Sequence, residues 1–256
     1  MKNKPLVGVI CCTRFPEDPA QAVAERYLRA VPFMGAEAVL LPSMPGLNDP
    51  ASIISRVDGV LLTGSPSNVE PSRYRTVDPG AVPFDPPRDD TAMGLISTAV
   101  DAGKPVLGIC RGFQEIAVKY GATLRRDLGD DQREQVHHVP HGIPINELFD
   151  LSHRVDLTQG GVLETALGCP SIVVNSAHFQ GVRELGPDLV VEATSPDGII
   201  EAVRPKSGDR VLGVQWHPEW KVAENDNSRA LFALFGLMLR GESLQGAAEA
   251  VARRSS

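Results

Sequence analysis

Short apolar runs alternate with helical patterns along the first half of the chain, and this alternation predicts its architecture. The runs that fit strands buried on both faces of a sheet are LVGVICC (6–12), AVLLP (38–42), GVLLTG (59–64) and PVLGIC (105–110). The segments that fit helices are 19–34, 49–56 and 89–102. Such alternation is typical of βαβ units, so we expect an α/β fold with a doubly wound, mainly parallel sheet and helices on both faces.

The second half of the chain changes to strands separated by turns. Its apolar runs are RVDLT (154–158), SIVVNS (171–176), LVVEATS (189–195), GIIEAV (198–203) and VLGVQWH (211–217). Turn signals such as SPDG (195–198) lie between them, which predicts antiparallel strands added to the same sheet. A helix over 226–240 and a small-residue helix after it complete the pattern. No linker or repeat divides the sequence, and we expect residues 1–256 to form one domain.

Composition and charge exclude several classes of partner. The 256 residues are 42% hydrophobic, which is enough to bury a full core, and 25 basic against 32 acidic residues leave a net charge of −7. No basic block is present, so we expect neither nucleic acid nor an anionic membrane surface as a partner. The apolar run at the N-terminus spans only residues 5–12, too short for a signal peptide or a membrane span, and we predict a cytoplasmic protein.

One of the four cysteines has surroundings that indicate chemistry. Cys11, Cys12 and Cys169 lie in or beside apolar runs and fit buried thiols. In GICRG (108–112), by contrast, a strand runs into Cys110 and a helix leaves it, and the flanking glycines leave room for a sharp turn. The nucleophile elbow of α/β-hydrolases holds its serine in this way. The helix N-terminus would favour a thiolate, and the next backbone N–H would be free for an oxyanion.

A base for this thiol is found in GVQWHPEW (213–220). His217 and Glu219 are two residues apart on an extended chain and therefore project to the same side. Glu219 can hold one imidazole nitrogen while the other faces the thiol, which is the arrangement of a catalytic triad. The pair is weak evidence by itself and becomes strong evidence together with the elbow at Cys110.

A proline-rich stretch and a histidine cluster each allow more than one interpretation. The proline-rich stretch from Ser65 to Asp90 follows a strand end and fits a lid or substrate loop, with a surface insertion as the alternative. His137, His138 and His141 place three imidazoles within five residues. No carboxylate or thiolate pattern completes a zinc site around them, so we predict no metal.

The chain resembles the class I glutamine amidotransferase-like hydrolases, which carry a Cys-His-Glu triad on a flavodoxin-like sheet. The motifs that carry the resemblance are LLTGSPSNVEP, GICRGFQE, NSAHFQG, SPDGIIEAV and GVQWHPEW. By this resemblance Cys110 is the nucleophile, His217 the base and Glu219 its orienting partner. The backbone N–H groups of Arg111 and Ser65 would form the oxyanion hole, although related glutaminases have glycine in place of Ser65. The residues that the resemblance implies in the glutamyl pocket are Gly64, Gln114, Asn175, Ser176 and His178.

Within that family the sequence looks closest to the γ-glutamyl-γ-aminobutyrate hydrolases of putrescine breakdown. The resemblance implies hydrolysis of a small γ-glutamyl amide through a γ-glutamyl thioester, without a metal or organic cofactor. A leaving group that ends in a carboxylate would need a cation, and the candidates are Arg14, Arg73, Arg88 and Arg111. Two alternatives are a glutaminase subunit that supplies ammonia to a separate synthetase and a non-catalytic sensor of γ-glutamyl metabolites. The oligomeric state stays open, and a homo-oligomer is compatible with the sequence.

Overall fold

The apolar runs form a nine-stranded sheet in a computed structural model that describes residues 3–15, 17–74, 76, 82–125, 128, 137, 145–207 and 210–255. The strands are β1 (Leu6–Ile10), β2 (Cys12–Arg14), β3 (Ala20–Ala22), β4 (Glu37–Leu41), β5 (Gly59–Leu62), β6 (Val106–Ile109), β7 (Thr123–Arg125), β8 (Ser152–Leu157), β9 (Ser171–Asn175), β10 (Gly181–Glu184), β11 (Leu189–Thr194), β12 (Ile200–Pro205) and β13 (Val211–Val214). The helices are α1 (Glu25–Met34), α2 (Pro50–Ile54), α3 (Pro86–Asp101), α4 (Arg111–Lys119), α5 (Ile145–Leu148), α6 (Val162–Leu167), α7 (Asp226–Leu239) and α8 (Leu244–Ser255). Short 3₁₀ turns occupy Pro71–Tyr74 and Val222–Glu224.

The sheet is parallel in one half and antiparallel in the other, as the sequence predicts. Its strand order is β4-β1-β5-β6-β13-β12-β11-β8-β9. The pairings from β4 to β13 are all parallel, and those from β13 to β9 are all antiparallel. Two smaller two-stranded sheets pair β2 with β3 and β7 with β10. The change of direction falls next to β13, the strand that leads to the predicted base.

Helices pack on both faces of the sheet and form an apolar core on each side. One apolar cluster joins α1, α6, α7 and α8 to one face, and a second joins α2, α3 and α4 to the other. Every residue of β5, β6 and β13 is buried, because these strands are covered on both sides and need no polar face. Among the described residues, no helix is both long and apolar enough to cross a membrane.

Two predicted elements differ in the structure. The helix expected over 19–34 begins only at Glu25, because residues 20–22 pair with Cys12–Arg14 as a short antiparallel hairpin. Strand pairing there outweighs a weak helical pattern. The apolar run at 38–42 predicts a strand buried on both faces, but β4 is an edge strand whose Val39 and Leu40 are 38% and 46% exposed. A short apolar run does not indicate by itself whether its strand has neighbours on both sides.

The two glycines around Cys110 permit a close approach of α4 to the sheet. A Cβ on Gly108 would lie 2.5 Å from the carbonyl oxygen of Gly112, and a Cβ on Gly112 would lie 2.7 Å from the Cβ of Leu62. Real Cβ atoms do not come so close to backbone, so a side chain at either position would push α4 away from β5 and β6. The turn therefore depends on both glycines.

We expect Gly112→Ala to lower the free energy of unfolding by about 1–3 kcal/mol or more, the usual cost of forcing extra volume into a packed site. Urea unfolding monitored by circular dichroism measures this change. Gly246→Ala is the matched control, because the nearest atom to its Cβ is the movable hydroxyl of Ser243 at 3.0 Å. Equal stability of the two variants would contradict the role assigned to Gly112.

Candidate active site

Cys110 lies at the sharp turn that the sequence predicts. Its backbone has φ 53° and ψ −103°, a conformation that residues with a side chain rarely adopt. Its N–H donates to the carbonyl of Val214 at 2.8 Å, and its carbonyl accepts from the N–H of Gln114 at 3.1 Å. The turn thus joins the end of β6 to the first turn of α4, and the thiol lies at the positive end of this helix.

His217 and Cys110 approach each other because their strands are parallel neighbours. Ile109 at the end of β6 pairs with Val214 at the end of β13, so the residues that follow both strands leave the same edge of the sheet. A Cβ placed on Gly64 would lie 3.0 Å from Cε1 of His217 and 3.3 Å from Cβ of Cys110. Both side chains therefore converge on one point, and only glycine fits there.

Glu219 orients the imidazole as its spacing predicts. Nδ1 of His217 lies 2.8 Å from Oε1 of Glu219, whose side chain is fully buried. Because the carboxylate only accepts, Nδ1 carries the proton of this bond and Nε2 is the nitrogen left for another group. Nε2 has no hydrogen-bonded nitrogen or oxygen in the described part of the chain, and the ring interacts with the side chain of Cys110.

The charges of this pair stabilise an imidazolium. Burial alone would lower the pKa of His217, but the Glu219 carboxylate and then Cys110 outweigh it and raise this pKa to about 10. Burial would likewise raise the pKa of Glu219, but His217 and Arg26 hold it below its usual value. At neutral pH the pair is therefore an imidazolium beside a carboxylate.

Three residues that sequence reasoning missed hold this pair in place. Nε of Arg26 donates to Oε1 of Glu219 at 3.0 Å. The hydroxyl of Tyr27 accepts from the N–H of Gly64 at 2.9 Å and lies 3.4 Å from Nδ1 of His217. Arg26 and Tyr27 belong to the helical pattern of α1, and no local motif distinguishes them from other helix residues. The third residue, Phe149, packs against the ring of His217 with centroids 4.8 Å apart.

Asn175 has a different position from the one expected. Its Oδ1 accepts from the backbone N–H of His217 at 2.8 Å, and its Nδ2 donates to the carbonyl of the same residue at 3.0 Å. The side chain therefore holds the main chain of His217, and it does not line the cavity beside Cys110 that is described next.

A cavity of about 240 Å³ opens beside these groups. Its lining residues are Arg14, Ala24, Arg26, Ser65, Pro66, Ser67, Asn68, Cys110, Arg111, Gln114, Leu148, Phe149, Ala177, His178, Phe179 and His217. The start of the proline-rich loop, residues 65–68, thus forms one wall, as expected for a substrate loop. Residues 75 and 77–81 of that loop lie outside the described residues.

The cavity brings together part of the predicted glutamyl pocket. Of the residues predicted for that pocket, Gln114 and His178 line the cavity, together with the expected oxyanion donors Ser65 and Arg111, whereas Gly64 is not in the lining. Nε2 of Gln114 donates to the carbonyl of Gln180 at 2.9 Å and to Oε1 of Gln215 at 3.1 Å, which fixes the direction of its amide. Ser176, in contrast, is fully buried, and its hydroxyl donates to the carbonyl of His137 at 3.4 Å. Ser176 does not line the cavity.

The four candidate arginines differ in whether they line the cavity and in how their charges are paired. Arg14 lines the cavity and has no ion pair in the part of the chain that the structure describes. Arg73 lies outside the cavity lining, 2.6 Å from Oδ1 of Asp90. This arrangement gives no support to a contact between Arg73 and a substrate carboxylate, because the charge of Arg73 is paired with Asp90 away from the cavity.

The charges of Arg88 and Arg111, two of the expected substrate cations, are paired within a buried ion network. Arg88 is fully buried, with Nε 3.0 Å from Oε1 of Glu115. The guanidinium of Arg111 contacts Glu115 and lies 2.6 Å from Oδ1 of Asp89. Arg111 also donates to the carbonyl of Ser67 at 3.1 Å. Both guanidinium groups are neutralised inside the protein, and only the backbone of Arg111 remains as an oxyanion donor.

Comparison with known proteins identifies the family of this chain. The family model of peptidase C26 matches residues 5–219. The chain belongs to the peptidase C26 family. It is 38% identical over 240 residues to the γ-glutamyl-γ-aminobutyrate hydrolase PuuD of Escherichia coli K12, covering 91% of this chain and 92% of that one. It is 33% identical over 187 residues to protein NtpR of Enterococcus hirae, covering 72% and 76%.

A solved structure from Thermoplasma acidophilum has the same fold. It is named for a component of GMP synthase, and it superposes with a TM-score of 0.65 over 94% of this chain and 96% of that one. Its sequence identity of 18% supports the fold alone.

We expect Cys110 to react first with one equivalent of iodoacetamide. The thiol faces the cavity at a helix N-terminus, whereas burial raises the pKa of Cys11 to about 11 and leaves that thiol unreactive. Peptide mass spectrometry measures the order of labelling. Cys169, which is half-buried, is the internal control for exposure alone. Faster labelling of Cys169 than of Cys110 would contradict an activated thiol at the elbow.

The raised pKa of His217 predicts the pH profile. The imidazolium is the charged form that the site stabilises, so activity that needs its proton persists through pH 7 and is lost as pH rises towards about 10. Glu219→Gln removes the charge that raises this pKa, and we expect the alkaline limb of kcat/KM to move to lower pH. Rates measured from pH 5 to pH 11 in both proteins test this. If the alkaline limb of kcat/KM stays at the same pH in Glu219→Gln, Glu219 does not set the pKa of His217.

Proposed function

We propose that this chain hydrolyses a γ-glutamyl amide, with Cys110 as nucleophile, His217 as acid and base, and Glu219 as its orienting partner. The observation that carries the proposal is the convergence of Cys110 and His217 at the mouth of a cavity, with the thiol on a strained turn at a helix N-terminus. A buried structural cysteine would need neither the unusual backbone nor an oriented imidazole. Because the mechanism needs a free thiol, we place the reaction in a reducing compartment, the cytoplasm.

The first half of the reaction forms a thioester and releases an amine. The Cys110 sulfur attacks the γ-carbonyl carbon, and the C=O π electrons move to the oxygen. The backbone N–H groups of Arg111 and Ser65 donate to this oxyanion. As the carbonyl re-forms, the C–N bond breaks and His217 gives its Nε2 proton to the departing nitrogen. The products of this half are the free amine, a γ-glutamyl thioester and a neutral imidazole.

The second half regenerates the enzyme. Nε2 of His217 takes a proton from water while the water oxygen attacks the thioester carbon, and collapse of the adduct breaks the C–S bond. Glutamate leaves, and the thiolate and imidazolium are restored. Glu219 keeps Nδ1 protonated throughout, so that Nε2 is always the nitrogen that faces the reacting atoms.

Arg14 supports a leaving group that carries a carboxylate. It is the candidate arginine that lines the cavity with its charge not paired to a described residue, whereas Arg26 in the same lining is bound to Glu219. A guanidinium beside a partly dry cavity matches a carboxylate in geometry and charge. The relatives named γ-glutamyl-γ-aminobutyrate hydrolase point to the same class. We therefore propose γ-glutamyl-γ-aminobutyrate as the substrate, with glutamate and γ-aminobutyrate as products in putrescine catabolism.

We expect the purified protein to release glutamate from γ-glutamyl-γ-aminobutyrate with a higher kcat/KM than from glutamine. A hydrogen bond to a charged group contributes about 1.5–3 kcal/mol, so Arg14→Gln should reduce kcat/KM for the first compound by roughly 10- to 100-fold. It should leave kcat/KM for glutamine nearly unchanged, because glutamine lacks the second carboxylate.

Arg73→Gln is the matched control, since its charge is paired to Asp90 outside the cavity, and it should alter neither rate. Cys110→Ala should abolish both activities and identifies glutamate released by contaminating enzymes. A wild type that prefers glutamine would contradict the substrate assignment and favour an ammonia-supplying glutaminase. An unchanged preference in Arg14→Gln would reject the role of Arg14 while leaving the hydrolase proposal intact.

A further inference from the structure

A second group of histidines, whose side chains are each at most 7% exposed, lies next to the active-site cavity and takes no part in the proposed mechanism. His137, His153 and His178 surround the carboxylate of Glu201, which is fully buried on β12. The histidines come from three other places: the segment between β7 and α5, strand β8, and the loop between β9 and β10. The rings of His137 and His153 have centroids 4.5 Å apart, and those of His137 and His178 5.3 Å apart.

Five polar atoms converge in this cluster without a hydrogen-bond partner among the described residues. They are Nδ1 of His137, Nε2 of His153, Nε2 of His178 and both carboxylate oxygens of Glu201. Buried polar atoms are almost always paired, since an unpaired one costs about 1–3 kcal/mol. So many orphaned atoms in one cluster indicate a missing partner that several of them would share.

In each ring, the nitrogen that faces away from Glu201 (the outer nitrogen) makes a hydrogen bond that determines the tautomer of the histidine. Nε2 of His137 lies 2.9 Å from Oδ2 of Asp197. Nδ1 of His153 lies 3.0 Å from the carbonyl of Arg154, and Nδ1 of His178 lies 3.0 Å from the carbonyl of Gln180. These partners can only accept, so each outer nitrogen carries the ring proton. In the neutral rings, all three lone pairs therefore point inwards at a carboxylate, an arrangement that repels unless a cation lies between them.

The distances from Oε1 of Glu201 to the three inner nitrogens are close to those between ligands of a small tetrahedral metal. Oε1 of Glu201 lies 3.4 Å from Nδ1 of His137, 3.6 Å from Nε2 of His153 and 3.7 Å from Nε2 of His178. Bonds of about 2.0–2.2 Å from Zn²⁺ to nitrogen and oxygen place tetrahedral ligands roughly 3.3–3.6 Å apart. Ligand atoms of His137, His153 and Glu201 all lie within 4.8 Å of one another. His178 stands outside this group of three and would complete the set by a small shift from its place 3.7 Å from Oε1 of Glu201.

We propose that His137, His153, His178 and Glu201 bind one divalent transition-metal ion, Zn²⁺ by preference, in a closed structural site. Three neutral imidazoles and one carboxylate are a donor set that suits Zn²⁺, and four protein ligands leave no open position for catalysis. The acceptors behind the rings are the outer partners that metal-binding histidines use to fix their orientation. A single shared proton would satisfy one nitrogen and leave the other two lone pairs against the carboxylate.

The site would fasten one wall of the active-site cavity. His178 lines the cavity between Ala177 and Phe179, and its N–H donates to the carbonyl of His137 at 3.3 Å. A metal bound to His137 and His178 would join the segment between β7 and α5 to this wall and to strands β8 and β12. Binding should therefore stabilise the folded protein and keep the cavity in shape, although the metal would take no part in the cleavage steps.

The test uses untagged full-length protein, stripped of metal by a chelator and then titrated with Co²⁺ and Zn²⁺. We expect one equivalent of Co²⁺ to give the visible absorption of a tetrahedral site and Zn²⁺ to displace it. Thermal unfolding should occur at a higher temperature with Zn²⁺ than without it. Asp197→Asn, which alters the partner behind His137 without removing a ligand, should weaken metal affinity by roughly 10- to 100-fold.

The decisive variants are His153→Ala and Glu201→Gln, in which we expect the absorption band and the thermal shift to be lost. Cys110→Ala should keep both, because the thiol is not a ligand, and so should the double variant His138→Ala, His141→Ala. His138 and His141 lie outside the described residues, and they test the alternative of a local histidine cluster. Circular dichroism checks that each variant is folded.

Failure of the wild type to bind one equivalent of either metal would overturn the proposal without reference to any variant. Undiminished binding in folded His153→Ala and Glu201→Gln, or loss of binding in Cys110→Ala or the double variant, would overturn it as well. None of these outcomes bears on the hydrolase proposal, which is tested by glutamate release.

Discussion

The backbone of Cys110 is the constraint on which the rest of the site depends. A residue with a side chain is held at φ 53°, and this conformation persists because the surrounding packing determines it. Gly108 and Gly112 let α4 lie directly on β5 and β6, and the parallel pairing of β6 with β13 brings His217 to the same edge. The strain therefore turns an otherwise buried cysteine towards a cavity, at the end of a helix whose dipole favours its anion.

A buried ion network between α3 and α4 stabilises the arrangement of the segments around this turn. Arg88 and Asp89 on α3 meet Arg111 and Glu115 on α4, and Arg111 also binds the carbonyl groups of the loop that begins at Ser65. Burying four charges is costly, and such networks contribute little net stability to a fold. Their benefit here is geometric, because they fix α3, α4 and the cavity loop relative to one another. The charges of Arg88 and Arg111 are thereby paired inside the protein.

The two histidine–carboxylate groups of the protein differ in what surrounds them. At His217 one carboxylate meets one imidazole, so a proton is enough to satisfy the pair, and its Nε2 stays directed at the thiol. At Glu201 three imidazoles meet one carboxylate with all inner lone pairs directed at it. The first arrangement suits proton transfer and the second suits a dication. Each group contributes one histidine, His217 or His178, to the lining of the cavity.

The sequence alone determined the alternating α/β architecture, the elbow at Cys110 and the pairing of His217 with Glu219. These features follow from local patterns. The hydrophobic period indicates the architecture, the glycines two residues from the cysteine indicate the elbow, and the two-residue spacing on a strand indicates the pair. The tertiary structure decided what depends on distant contacts. It made Asn175 a clamp on His217, paired Arg26 with Glu219, and buried Arg88. It also gathered His137, His153 and His178 around Glu201 from four separate segments, which no local spacing could indicate, because only strand pairing and loop packing bring such residues together.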